Sequence, residues 1–182
     1  MHISLDAFAN SELKDFDWIK VDEEIFDHGH HHIEKATTAL YGRNTFDLMQ
    51  SYWPTAADKP DATKHEKEHG AWYKSVEKIV VSKTMKPNEG PDYSIASNDL
   101  LQHITKIKNE SGGDIIILGS PSLVHSLQQL NLIDEYFLNI NPVLLGKGTP
   151  MFHKSVDRTK LTLLEEYRHT NGVLSVRYCV QK

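Results

Sequence analysis

The chain has 182 residues, 39% hydrophobic and 25% charged, which excludes a disordered polymer and allows one globular domain over residues 1–182 with a sizeable core. The formal net charge is −5 and Lys and Arg form no long block, so a nucleic-acid partner is not expected. No apolar run reaches membrane-spanning length, and a single cysteine, Cys179, cannot close an intrachain disulfide, so the expectation is a cytoplasmic protein with no membrane partner.

Residues 2–8 alternate apolar and polar, as a strand does. Asp22, followed by Glu23 and Glu24, is placed to cap a helix running toward Lys35. Residues 37–41 read as a buried strand that Gly42 stops, and residues 45–52 as a second helix. Residues 54–61 read as a polar loop, and 63–75 as a mostly exposed helix rich in Lys, His and Glu. Residues 78–81 and 93–96 read as strands.

Asn98 is expected to cap a helix reaching about Glu110, with Leu101, Ile104 and Ile107 at helical spacing. Residues 114–118 form a continuous β-branched run, the pattern of a central strand covered on both faces. Pro121 suits the first turn of the next helix. Residues 134–140, 160–169 and 173–180 read as strands, the last two joined through Asn171-Gly172, a type I′ hairpin signal. Alternating strands and helices that close on a hairpin imply a three-layer α/β/α domain around a mixed, mostly parallel sheet.

Ligands of open α/β sheets bind outside the carboxyl ends of the strands. Three such ends here carry phosphate-binding chemistry. Gly42-Arg43-Asn44-Thr45 couples a close backbone approach, a guanidinium fork and a helix N-terminus. Ser82-Lys83-Thr84 sets two hydroxyls around a cation, and Gly119-Ser120-Pro121-Ser122 turns from a strand into a helix, as a pyrophosphate cradle does. Each also reads as an ordinary turn or cap when taken singly. Two cations with no carboxylate beside them favour a 2′-phosphate, and so NADPH over NADH.

Asp6, at the end of the first strand, is the candidate catalytic or substrate-binding carboxylate; a turn-forming Asp bonding its own backbone is the competing reading. Trp53 has the best case among the tryptophans for a substrate-cleft rim, and buried aromatic core is its competing reading. His28 and His32 share a helix face, but the sequence points to no third ligand, so no metal is expected.

These motifs, in their order, resemble the dihydrofolate-reductase-like superfamily, and most of all its branch related to the reductase (RibD C-terminal) domain of bacterial riboflavin biosynthesis. Ser4-Leu5-Asp6-Ala7-Phe8 resembles the first-strand motif, with Ala7 where the branch has Gly. Tyr41-Gly42-Arg43-Asn44-Thr45-Phe46 and Val80-Val81-Ser82-Lys83-Thr84 resemble the two cofactor loops. Leu132-Ile133-Asp134-Glu135-Tyr136 and Pro142 to Gly148 match the later segments, and Gly119-Ser120 stands where Gly-Gly is usual.

The resemblance implies hydride transfer from NADPH to a pyrimidine-like or pterin-like small molecule. The implied activity is that of a 5-amino-6-(5-phosphoribosylamino)uracil reductase, with the substrate cleft near Ala7 and Trp53. Dihydrofolate reductase activity, or a divergent non-catalytic nucleotide-binding dimer of the same fold, are the alternatives. The resemblance also implies a homodimer.

Overall fold

The structure, a computed structural model, describes residues 1–13, 15–86, 93–97, 99–110, 112–152 and 157–182. The expected first strand is in fact two, β1 (His2–Ser4) and β2 (Phe8–Ser11). Ala7 breaks it with φ +62, its N–H donating to the Ser4 carbonyl at 2.9 Å. Helix α1 (Glu23–Ile33) starts where Asp22 accepts the Ile25 N–H at 2.9 Å. Strand β3 (Ala36–Gly42) runs directly into α2 (Arg43–Ala56). That helix is longer than expected, because Pro54 falls in its final turn, where one lost backbone bond does not stop it.

Helix α3 (Lys64–Ser75) carries a capping box, Thr63 Oγ1 accepting the Glu66 N–H at 3.2 Å and Glu66 Oε2 the Thr63 N–H at 2.8 Å. It is not mostly exposed: His69, Trp72 and Tyr73 are buried, because the apolar positions recur on one helical face among the charges. Next come β4 (Glu77–Val81), β5 (Ser94–Ala96) and α4 (Leu100–Asn109). Asn98, the expected cap, lies outside the described residues; the Asp99 carboxylate accepts the Gln102 N–H at 3.0 Å. Strand β6 (Asp114–Ile117) leads to α5 (Pro121–Gln129), and the chain closes with β7 (Glu135–Asn141), β8 (Gly148–Pro150), β9 (Leu161–Arg168) and β10 (Leu174–Val180).

These elements form two compact units. One comprises residues 22–120, the other residues 1–21 with 121–182. In the first, β5-β4-β3-β6 form an all-parallel sheet. Ala39 and Tyr41 of β3 and Val80 of β4 pack with Phe46 of α2 and Trp72 and Tyr73 of α3. Leu40 and Ile79, one residue out of phase, belong to the opposite face. Strands β3 and β4 are both flanked on either side in this sheet. The β-branched run of β6, expected at the centre, lies at the outer position and is half-buried, since a continuous apolar run does not distinguish a centre from an edge.

In the second unit β1-β7-β10-β9 form a mixed sheet, with β1 parallel to β7 and the other pairs antiparallel; β2 and β8 form a separate ribbon. The β9–β10 connection is not a two-residue type I′ turn. His169 N–H donates to the Val173 carbonyl and Gly172 N–H to the His169 carbonyl, and Gly172 alone in the loop has a positive φ, +90. A type I′ turn needs two such residues. The class is mixed α/β with parallel and antiparallel pairing, as expected.

Candidate cofactor site

Parallel β3, β4 and β6 deliver their carboxyl ends to one end of one sheet. Gly42 ends β3 and is also the N-cap of α2, with extended φ −75 and no side-chain cap. The first-turn N–H groups of Arg43, Asn44 and Thr45 therefore lack intrahelical partners, and the positive end of the helix dipole adds to them. At the end of β6, Gly119 and Ser120 both take left-handed conformations, φ +69 and +56. The Gly42 N–H donates to Ser120 Oγ at 2.9 Å, which locks the two turns side by side. A Cβ on Gly119 would stand 3.4 Å from Thr45 Cγ2.

At the end of β4 the buried Ser82 hydroxyl accepts the N–H groups of Thr84, at 3.3 Å, and Met85, at 3.1 Å. It shapes the turn, while Lys83 and Thr84 are exposed. Arg43 Nη1 donates to Thr84 Oγ1 at 3.3 Å, so the first and second strand-end loops converge on a guanidinium and a hydroxyl. The expectation that no carboxylate stands beside the two cations is corrected at Arg43. Asp47 Oδ2 lies 3.6 Å from Arg43 Nε, because α2 begins at Arg43 and places Asp47 one turn on. Asn44 is exposed. Pro121 and Ser122 open α5, in the other unit, where the Ser122 carbonyl accepts from Ser126 Oγ at 3.2 Å.

The donor set of residues 42–45, 83–84 and 119–120 fits phosphate groups: free first-turn amides, a guanidinium, an ammonium and a hydroxyl, with no side chain on Gly42 or Gly119.

Asp6 lies in the other unit, held by three donors. Ser4 Oγ donates to it at 2.6 Å, Leu145 N–H at 3.1 Å and Gly146 N–H at 2.8 Å. The Ser4 hydroxyl first, then these amides, hold its carboxyl below the usual range. Ala7, beside it, takes a left-handed backbone, φ +62. Trp53 is half-buried in the α2–α3 packing, its Nε1 3.0 Å from Met49 Sδ and its ring centroid 4.1 Å from that of His69. His28 and His32 stand one turn apart on α1 with ring centroids 5.6 Å apart.

Sequence reasoning missed the burial of His69 in α3 and the half-burial of His65. His65 stacks on Phe26 of α1 at 3.7 Å, and His69 lies between Trp53 and Trp72. Their spacing with Trp72 along α3 was the available signal.

A mixed α/β chain whose parallel strand ends carry loops of this kind has the dihydrofolate-reductase-like fold. The chain belongs to the RibD C-terminal domain family, whose profile matches residues 1–175. It is 34% identical over 177 residues to the uncharacterized protein YyaP of Bacillus subtilis (strain 168), covering 97% of this chain and 90% of that one.

Among solved structures, a protein of Shewanella sp. PV-4, assigned provisionally to riboflavin biosynthesis, superposes with TM-score 0.74 at 19% identity, over 100% of this chain and 97% of that one. The diaminohydroxyphosphoribosylaminopyrimidine deaminase/5-amino-6-(5-phosphoribosylamino)uracil reductase of Thermotoga maritima superposes with TM-score 0.66 at 12% identity, over 99% of this chain and 55% of that one. Among the described residues, no helix is long and apolar enough to cross a membrane.

Proposed function

We propose that the chain is an NADPH-dependent reductase of a pyrimidine-like or pterin-like small molecule, of the kind that reduces 5-amino-6-(5-phosphoribosylamino)uracil. The observation that carries this reading is the convergence of Arg43 and Thr84 beside the Gly42–Ser120 link at the α2 N-terminus. Family membership supports it. When bound, NADPH supplies the hydride.

The chain's own residues bind and orient. The α2 amides and Ser120 take the pyrophosphate, and Arg43, Lys83 and Thr84 take the adenosine-side phosphate. Their charge favours a phosphate dianion over a bare ribose diol. The lone Cys179 fits a reducing cytoplasm.

A second reading is a nucleotide-binding domain without reductase activity. The engagement of Asp6 by three donors favours it, since that carboxylate is then occupied in holding a loop.

The test has two arms. NADPH at about 1 mM raises the melting temperature more than NADH does, because a ligand bound only to the folded state stabilises by mass action. No shift with either nucleotide overturns both readings. NADPH oxidation is then followed with dihydrofolate, ribosylaminopyrimidines and small carbonyls. A nucleotide shift with no oxidation across that set leaves the second reading in place of the first.

A further inference from the structure

Residues 28–32 of α1 read His-Gly-His-His-His, and the helix sorts these imidazoles onto different sides. At about 100° per residue, His28 and His32 fall within roughly 40° of one another, while His30 falls nearly opposite. His30 lies close enough to His65 and His69 of α3 to lower the pKa of both, so it is turned toward that helix. His31 is exposed and both its nitrogens are engaged, Nδ1 3.3 Å from Glu34 Oε1 and Nε2 3.2 Å from Lys35 Nζ. His28 and His32 are half-buried, with ring planes 81° apart. A nitrogen of one ring lies within 4.8 Å of a nitrogen of the other.

We infer that His28 and His32 hold a borderline divalent transition ion, with zinc(II) as its type, that clamps the C-terminal half of α1. Two histidines four apart on one helical face are the chelating unit of helical zinc sites. Imidazole nitrogen suits zinc, copper and nickel, and it binds zinc at about 2.0–2.1 Å. Nitrogens already within 4.8 Å reach one ion by small side-chain rotations. The helix also favours a cation here. His32 stands in the last turn of α1, at the negative end of the helix dipole, and Glu24 stands one turn before His28 on the same side. Water fills the remaining positions on the ion.

Gly29 gives the clamp its purpose. It lies inside the helix, where only proline is a poorer residue. A Cβ at Gly29 would meet nothing within 4 Å, so no close approach requires a glycine there. A chelate from His28 to His32 spans Gly29 and holds the turn that glycine weakens. Hydrolysis is not implied. The zinc-hydrolase version of this spacing has a Glu general base directly after the first histidine, where this chain has Gly29.

This inference is independent of the reductase reading and is tested without nucleotide. The full chain, free of any affinity tag and stripped with chelator, is titrated calorimetrically with zinc chloride at pH 7.5. One ion binds per chain with a dissociation constant of about 10 µM or tighter. His28→Gln and His32→Gln, which keep helix propensity, each weaken binding about tenfold or more, and His31→Gln leaves it unchanged. Zinc raises the melting temperature and slows amide exchange over residues 29–33, because it binds only the folded helix. Gly29→Ala strengthens the helix without metal and so shrinks that gain in melting temperature.

Binding weaker than about 100 µM overturns the inference. So does binding that neither His28→Gln nor His32→Gln alters, which would mark adventitious capture by other histidines. Amide exchange over residues 29–33 that zinc leaves unchanged overturns it as well, whatever the folding of the variants.

Discussion

The Gly42 amide donates to the Ser120 hydroxyl at 2.9 Å and so ties the start of α2 to the end of β6. The residue that accepts this bond is itself strained, a non-glycine at φ +56. The side chain and the backbone of Ser120 therefore act in opposite directions. Ser120→Ala keeps the strain and loses the bond, and lowers stability by about 1 kcal/mol. Ser120→Gly loses the bond but relieves about 1–2 kcal/mol of left-handed strain, and comes out within about 1 kcal/mol of wild type. Urea midpoints at constant m value check the order Ala below Gly.

Ala7 sits at φ +62 with no compensating side-chain bond. Ala7→Gly removes the left-handed cost and adds unfolded-state entropy, for a net gain of roughly 0.5–1 kcal/mol. Ala7→Val loses stability instead. Thermal unfolding of the pair reads the opposite signs.

Asp6 anchors Leu145 and Gly146 through their amides. Asp6→Ala frees both amides, lowers the melting temperature by on the order of 5 °C and speeds hydrogen exchange over residues 143–147. The carboxyl is held below its usual value, so the stability it contributes is present above that value and is lost as pH falls through the lowered one. An Asp6→Ala melting temperature equal to wild type would assign that carboxylate no anchoring role.

Burial, and then the neighbouring His65 and His30, push His69 down to about 3 from an ordinary value of 6.5. Burial lowers His65 too, with His30 lowering it further and Glu68, Glu66 and Asp27 raising it. A base with a depressed folded value costs nothing at neutral pH. As pH falls below 6.5 the unfolded chain takes up a proton that folded His69 refuses, until about pH 3. The loss from His69 alone reaches on the order of 2 kcal/mol at pH 5. His69→Phe keeps a ring between Trp53 and Trp72 and flattens the acid limb of stability against pH. An unchanged limb assigns the loss to other groups.

Arg43→Ala weakens NADPH binding about tenfold, as loss of a charge-assisted phosphate contact does, and leaves NADH nearly unaffected. Asp47→Asn acts in the opposite direction, because the carboxylate 3.6 Å from Arg43 Nε no longer competes for the guanidinium. Titration of both nucleotides against both variants separates the 2′-phosphate contribution from general loss of binding.

The elements with strong local signals were legible in the sequence. Asp22 caps α1, Pro121 opens α5, and the turns at Gly42 and Gly119 fall at strand ends as their glycines indicated. Signals that depend on several φ values at once were not. Ala7 reads as a strand residue but takes a left-handed turn, and Asn171-Gly172 reads as type I′ but has positive φ only at Gly172. The extent of α2 was underestimated because Pro54 and its polar neighbours look like a loop, although packing of Trp53 carries the helix through them.

The sequence by itself determined the class of the fold, the family and the residue types at each strand end, because these rest on periodicity, turn chemistry and ordered motifs within short windows. Only the tertiary structure decided which of those residues meet. Ser120 reaches Gly42 across 78 positions, and Arg43 reaches Thr84 across 41, because strands β6 and β4 flank β3 in the sheet. Strand order is a non-local property, so the link between the loops and the burial of His69 were beyond any local pattern.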